Sequence, residues 1–239
     1  MPQPQRRQVL KEWIDFFAEP TPIEHLTLWC RVNDELLRAL RPQTQLKTLT
    51  LQWGPYTDLD VFSSFQELEQ LDLGGASAIT DIEPLTKLSA LTHLHVENAR
   101  KLRDYSPLGK LTSLRFLAVD RGVTGSRGDA ESLEFVRALH SLEAFYWDPR
   151  VRSADFSPLL TLTHATEISV TPMRGQTPSM ADLEWALPGM QAYTKRRAEQ
   201  QITLFRDGEF AGMLRRNVVG DLEMVPAKEI DLDGGAGHA

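Results

Sequence analysis

LKTLTL at residues 46–51, LEQLDL at 68–73 and LTHLHV at 91–96 are three copies of one phrase, apolar-x-x-apolar-x-apolar. Read outward, the phrase is preceded by IEHLTL from Ile23 and followed by LRFLAV from Leu114, LEAFYW from Leu142 and ATEISV from Ala165. Successive copies start 23, 22, 23, 23, 28 and 23 residues apart. A fixed period of this length marks a solenoid, in which each turn contacts only its neighbours. Alternation through the last four positions places Leu26 with Leu28, Leu49 with Leu51 and Leu71 with Leu73 on one face of a short strand. One such strand cannot bury that face alone, so consecutive turns must stack in parallel and build a continuous core from equivalent leucines.

Between strands a second phrase recurs, as Asp81-Ile82-Glu83-Pro84-Leu85, Asp104-Tyr105-Ser106-Pro107-Leu108 and Asp155-Phe156-Ser157-Pro158-Leu159. A short carboxylate caps the start of a helical turn, and proline suits an early position whose N–H has no partner in any case. Leu85, Leu88 and Leu91 then lead the chain back inward. From Ile23 to Thr171 the strands and these D-x-x-P-L segments resemble leucine-rich repeats of the short kind found in bacterial internalins and phosphatase-regulating scaffolds. The resemblance implies an α/β solenoid: a right-handed superhelix with a parallel concave sheet, short helical or 3-10 turns on the convex side, and a cap at each end. It also implies a non-enzymatic scaffold reused for unrelated protein partners. Two departures stand out. The asparagine that often follows the strand in the family is approached only by Asn98, displaced by one position, so the internal hydrogen bonds must be satisfied otherwise. The turn from Leu114 carries a longer glycine-containing loop, residues 121–129.

The ends read differently. Residues 1–22, with Val9, Leu10, Trp13, Ile14, Phe16 and Phe17 at roughly helical spacing, are expected to form an N-terminal helical cap on the repeats of residues 23–171. Residues 172–239 are expected to form a C-terminal cap or a small α+β appendage. In that region Ser179 with Asp182 marks a helix start, Pro188-Gly189 interrupts it, Asp207-Gly208 signals a hairpin, and residues 231–239 read as a disordered tail.

Composition narrows the classes of function. Of 239 residues, 41% are hydrophobic and 25% charged, as in ordinary folded proteins. No stretch approaches the roughly 20 apolar residues of a membrane-spanning helix. The start, MPQPQRRQVLKEWIDFF, has acidic residues where a signal peptide has its apolar core, so a cytoplasmic protein is expected, and the resemblance to internalin repeats implies a bacterial one. Cys30 is the only cysteine, which excludes an intramolecular disulfide and a multi-cysteine zinc site; it reads as structural. A net charge of -7 argues against a sequence-independent nucleic-acid binder and favours a partner with a basic surface. No membrane partner and no cofactor is expected.

Function is sought on the outward-facing strand residues, which stacking at about 4.8 Å per strand aligns into columns. One column runs Thr27, Thr50, Asp72, His95, Ala118, Tyr146, Ser169. Its neighbours run His25, Thr48, Gln70, His93, Phe116, Ala144, Glu167 and Trp29, Gln52, Gly74, Glu97, Asp120, Asp148, Thr171. Exposed aromatic residues anchor interfaces with large contact area and little entropy loss, so Trp29, Trp53, Phe116 and Tyr146 are the expected anchors. The alternative for both tryptophans is burial under loops or the N-terminal helix. Asp72, His93, His95, Glu97, Asp120 and Asp148 complete the expected partner-binding surface. The same His93, His95, Glu97 and Asp72 also permit a second reading, a metal-dependent or acid-base hydrolase, although an open sheet floor lacks the enclosed pocket that catalysis needs. Arg127-Gly128-Asp129 reads as a polar loop, and Lys195-Arg196-Arg197 and Arg215-Arg216 as solvated faces.

Overall fold

Alternating strands that bury one face only can share a core when they lie side by side, and this governs the architecture. A computed structural model describes residues 3–122, 125–191, 201–206, 209–216 and 222–226. The chain divides into two compact units, Met1–Gly189 and Met190–Ala239. In chain order the strands of the first unit are β1 His25–Arg31, β2 Thr48–Trp53, β3 Gln70–Leu73, β4 His93–Glu97, β5 Phe116–Asp120, β6 Asp129–Ala130, β7 Ala144–Trp147, β8 Arg150–Val151 and β9 Glu167–Val170. Its helices include α1 Gln3–Phe17, α2 Asp34–Ala39 and α3 Met180–Ala186.

Seven strands form one parallel sheet in the order β1-β2-β3-β4-β5-β7-β9. Leu49, Leu71, Leu94, Leu117, Phe145 and Ile168 follow one another in register and are buried. Each such side chain contributes about 1.5–3 kcal/mol by leaving water, so the row is a large share of the core energy. The pair β6, at the end of the long turn after β5, and β8, just after β7, forms a separate two-stranded parallel sheet.

Convex turns follow from the D-x-x-P-L phrase. The carboxylates of Asp81, Asp104 and Asp155 each accept the N–H two residues on, all at 2.8 Å. These bonds start the 3-10 turns Glu83–Lys87, Ser106–Lys110 and Ser157–Thr161, whose second residue is the proline. Where the family places an asparagine ladder, this chain uses its backbone: the N–H groups of Gly74, Ala76 and Asn98 donate to Leu51 O, Glu97 O and Asp120 O at 2.7–2.8 Å. Gly75 (φ 58°) and Asn98 (φ 60°) occupy the same repeat position, and both adopt the left-handed backbone that these residue types tolerate.

At the N-terminal end the chain is tied down by one buried amide. Gln43, fully buried, donates to Phe17 O at 2.9 Å and Glu19 O at 2.7 Å, and accepts from the N–H and hydroxyl of Thr21. It thereby fixes α1, whose Phe17 is buried and stacks on Trp13 at 5.6 Å, to the first repeat. Beyond the last repeat, Ser179 and Asp182 cap α3 reciprocally. The helix stops at Ala186, ahead of Pro188, and Leu183 and Leu187 are buried. In the second unit, β10 Gln201–Arg206, β11 Glu209–Arg216 and β12 Leu222–Pro226 form an antiparallel sheet. The expected hairpin turn Asp207-Gly208, the Lys195-Arg196-Arg197 run and the tail from Asp231 lie outside the described residues.

Replacing Gln43 with alanine removes the partner of the buried Phe17 carbonyl and of the part-buried Glu19 carbonyl, Thr21 N–H and Thr21 hydroxyl, at a desolvation cost. Denaturant unfolding of Gln43→Ala is expected to show a loss of about 2–3 kcal/mol, against near-zero loss for an exposed neighbour such as Arg41→Ala.

Candidate functional site

The floor of the sheet is set by strand register. His25, Thr48, Gln70, His93, Phe116, Ala144 and Glu167 are consecutive partners, as are Thr27, Thr50, Asp72, His95, Ala118, Tyr146 and Ser169. These are the columns that alternation predicts, and Glu97 stands opposite Asp120 in the third.

Two features occupy the middle of the floor. The first is an aromatic row across three strands: His93 stacks on Phe116 at 5.9 Å and 20°, and Phe116 meets Tyr146 at 5.6 Å. The second is an ion triad. His95 Nδ1 lies 3.2 Å from Asp72 and Nε2 lies 3.0 Å from Asp120. Hydrogen bonds to Asp120 and then Asp72 outweigh desolvation and lift the His95 pKa from 6.5 to about 10, so the ring is cationic at neutral pH. Asp120 is correspondingly held low by its bond to His95 and by the N–H of Gly122 at 2.7 Å. Glu97 behaves oppositely: burial, then repulsion from Asp120 and Asp72, raise its pKa against the pull of His95. The triad is thus short of positive charge. A shallow hollow of about 210 Å³ opens beside it, over Thr50, Gln70, Asp72, His93 and Phe116.

Both ring nitrogens of His95 are engaged with carboxylates, Nδ1 with Asp72 and Nε2 with Asp120. Among the described residues no group of three or more His, Cys, Asp and Glu is arranged to hold a metal ion.

The tryptophans lie at the edge. β1 carries an extra residue against β2: Leu28 faces Leu51 but Arg31 faces Trp53. This bulge lies next to Trp29, which is 77% exposed, and Trp53 is 49% exposed. Burial under loops or α1, the alternative for both rings, is not what is found. Trp53 lines a second, wider cleft of about 500 Å³ with Gln52, Gly54, Gly75 and Glu97, so Glu97 connects cleft and floor. Cys30, expected to be structural, is exposed on the edge strand.

Asp148 is placed differently from the other nine candidates. Its side chain is only 15% exposed and accepts the Thr171 hydroxyl at 2.7 Å, with Arg121 and Arg127 each 3.8 Å away. Arg127 also donates to the carbonyls of Asp148 and Thr171. The longer turn after β5 folds these arginines over the column, which a strand-alternation argument could not anticipate. For the same reason Arg127-Gly128-Asp129 is not a free polar loop: both charged side chains are engaged internally. Alternation alone also passed over Arg103, Arg150 and Arg152 around Asp129: Arg103 comes from another turn, and Arg150 reaches Asp129 because β6 pairs with β8.

Repeats of 22 to 28 residues, a strand from each in one parallel sheet, and a helical or 3-10 turn on the opposite side are now all in place. The chain folds as a leucine-rich-repeat solenoid. Similar solved structures include internalin C2 from Listeria monocytogenes, at 22% identity over 64% of this chain and 75% of that one, with a TM-score of 0.46. The functional domain of InlJ from the same species matches at 21% identity over 70% of this chain and 34% of that one, with a TM-score of 0.48. A Leptospira interrogans leucine-rich-repeat protein matches at 13% identity over 55% and 38%, with a TM-score of 0.35. No family model matches the solenoid's sequence, and no curated protein matches it. Among its described residues no helix is long and apolar enough to cross a membrane.

The His95 shift sets a pH dependence. A histidine whose folded pKa exceeds its unfolded value stabilises fully below the unfolded pKa and loses that contribution as pH rises through the folded one. The stability difference between wild type and His95→Gln is therefore expected to be largest near pH 6.5 and to shrink toward pH 10, the two pKa limits of His95. Denaturant unfolding at both pH values checks this, and a difference that does not change with pH contradicts the triad.

Proposed function

We propose that this chain is a non-enzymatic interaction module that holds a protein partner presenting basic side chains to the concave floor. The observation that carries the reading is the pairing of an aromatic row with an ion triad short of positive charge, on the same open surface. A guanidinium or ammonium group over Phe116 or Tyr146 gains cation–π attraction. The same group within reach of Asp72 and Glu97 offsets the burial and then the carboxylate repulsion that raise the Glu97 pKa. Strands fixed on both sides by parallel neighbours lose little freedom on binding, which favours affinity. Trp29 and Trp53 extend the apolar contact beyond the floor, since both present large exposed rings.

Nine candidates, Trp29, Trp53, Asp72, His93, His95, Glu97, Phe116, Asp120 and Tyr146, belong to this surface. Asp148 supports it indirectly, by holding Arg127 of the long turn and the Thr171 hydroxyl. A reducing compartment, the cytoplasm, is part of the proposal, supported by the lone exposed thiol of Cys30, which an oxidising environment would cross-link.

Affinity capture from the cells that make the protein, read by mass spectrometry, tests the reading. Proteins retained by wild type are expected to be lost with a Trp29→Ala/Phe116→Ala double variant, whose melting temperature should change little for Trp29 and modestly for half-buried Phe116. Retention of the same proteins by the double variant would move recognition off the floor.

A further inference from the structure

One edge of the solenoid carries more positive charge than its own carboxylates neutralise. Asp129 faces Arg150 across the β6–β8 pair and accepts its Nε at 2.7 Å. Asp129 also pairs with Arg103, and Arg152 stands 3.8 Å away. A single carboxylate, 15% exposed, therefore gathers three guanidinium groups that remain 44%, 55% and 57% exposed. Three guanidiniums offer about fifteen N–H donors and one carboxylate about four acceptor sites, so most of the donor capacity faces solvent. Next to this group Arg127 has its pKa lowered, first by burial and then by the charges of Arg150 and Arg121. Arg103, Arg150 and Arg152 thus share the one carboxylate of Asp129, on a chain whose net charge is -7.

We propose that this edge, centred on Arg103, Arg150 and Arg152, docks an acidic segment of a protein partner, at a site separate from the concave floor. The guanidinium fork matches a carboxylate in two parallel hydrogen bonds, and three forks in one place suit closely spaced Asp or Glu side chains. Asp129 holds the arginines in place before binding, which reduces the ordering cost. An extended nucleic acid fits less well, because its affinity grows with the number of phosphates neutralised and this cationic edge is short and set in an acidic chain. If the cluster served only to knit strands, Arg152 would be dispensable, since it makes no hydrogen bond to Asp129.

Fluorescence anisotropy of the full chain with a short labelled polyglutamate peptide, at low ionic strength where such pairs are least screened, tests this. Saturable binding is expected, weakened about tenfold or more by Arg152→Glu and less by Arg152→Lys, which keeps the charge but loses the fork. Thermal unfolding is expected to be unchanged, and Arg152→Gln provides the same loss of binding should Arg152→Glu fail to fold. Absence of saturable polyglutamate binding by wild type, equal binding by Arg152→Glu or Arg152→Gln, or tighter binding of a short oligothymidylate would each overturn the proposal.

Discussion

Burial of the inward strand residues against their equivalents one turn away is the interaction on which everything else rests. A single strand with Leu49 and Leu51 on one face has nowhere within its own repeat to hide them. Stacked on Leu71 and Leu73, and these on Leu94 and Val96, the same residues form a continuous buried row. The alternate residues are thereby fixed in columns at strand spacing, whatever their chemistry. The site is a consequence of this constraint: Asp72, His95 and Asp120 come together because three successive turns are held in register, not because of any local preference.

That separation between core and floor explains the charge arrangement. Core positions tolerate only apolar side chains of similar size, whereas floor positions cost little to vary. This chain uses the freedom to place a cationic histidine between two aspartates, with Glu97 nearby and an aromatic row beside it. On the neighbouring edge the balance reverses, and arginines surround Asp129. One solenoid thus carries an acidic group of side chains on its floor and an arginine group around Asp129.

Much of this was legible from residue spacing. The period located the strands, and the two-residue alternation assigned Leu71 inward and Asp72 outward, because both signals come from the backbone geometry of a repeating strand. The D-x-x-P-L phrase announced the convex turns, since aspartate and proline act within a few residues of where they stand. Legibility failed where the period breaks. The bulge beside Trp29 depends on how β1 meets β2, and spacing does not encode it. The closure of Arg121 and Arg127 over Asp148 depends on the path of a long turn, so a column argument placed Asp148 on the open floor. The protonation of His95 is likewise a property of two neighbouring strands and is invisible in any one of them.

The central claim is that recognition takes place on the floor of the sheet. It is tested most directly by photo-crosslinking in the cells that make the protein, with a photoreactive residue placed either at Gln70, exposed on β3, or at Lys87, exposed on a convex turn. The account predicts a discrete adduct with one protein from position 70 and none from position 87. Adducts of equal yield from both positions, or an adduct from position 87 alone, would contradict it.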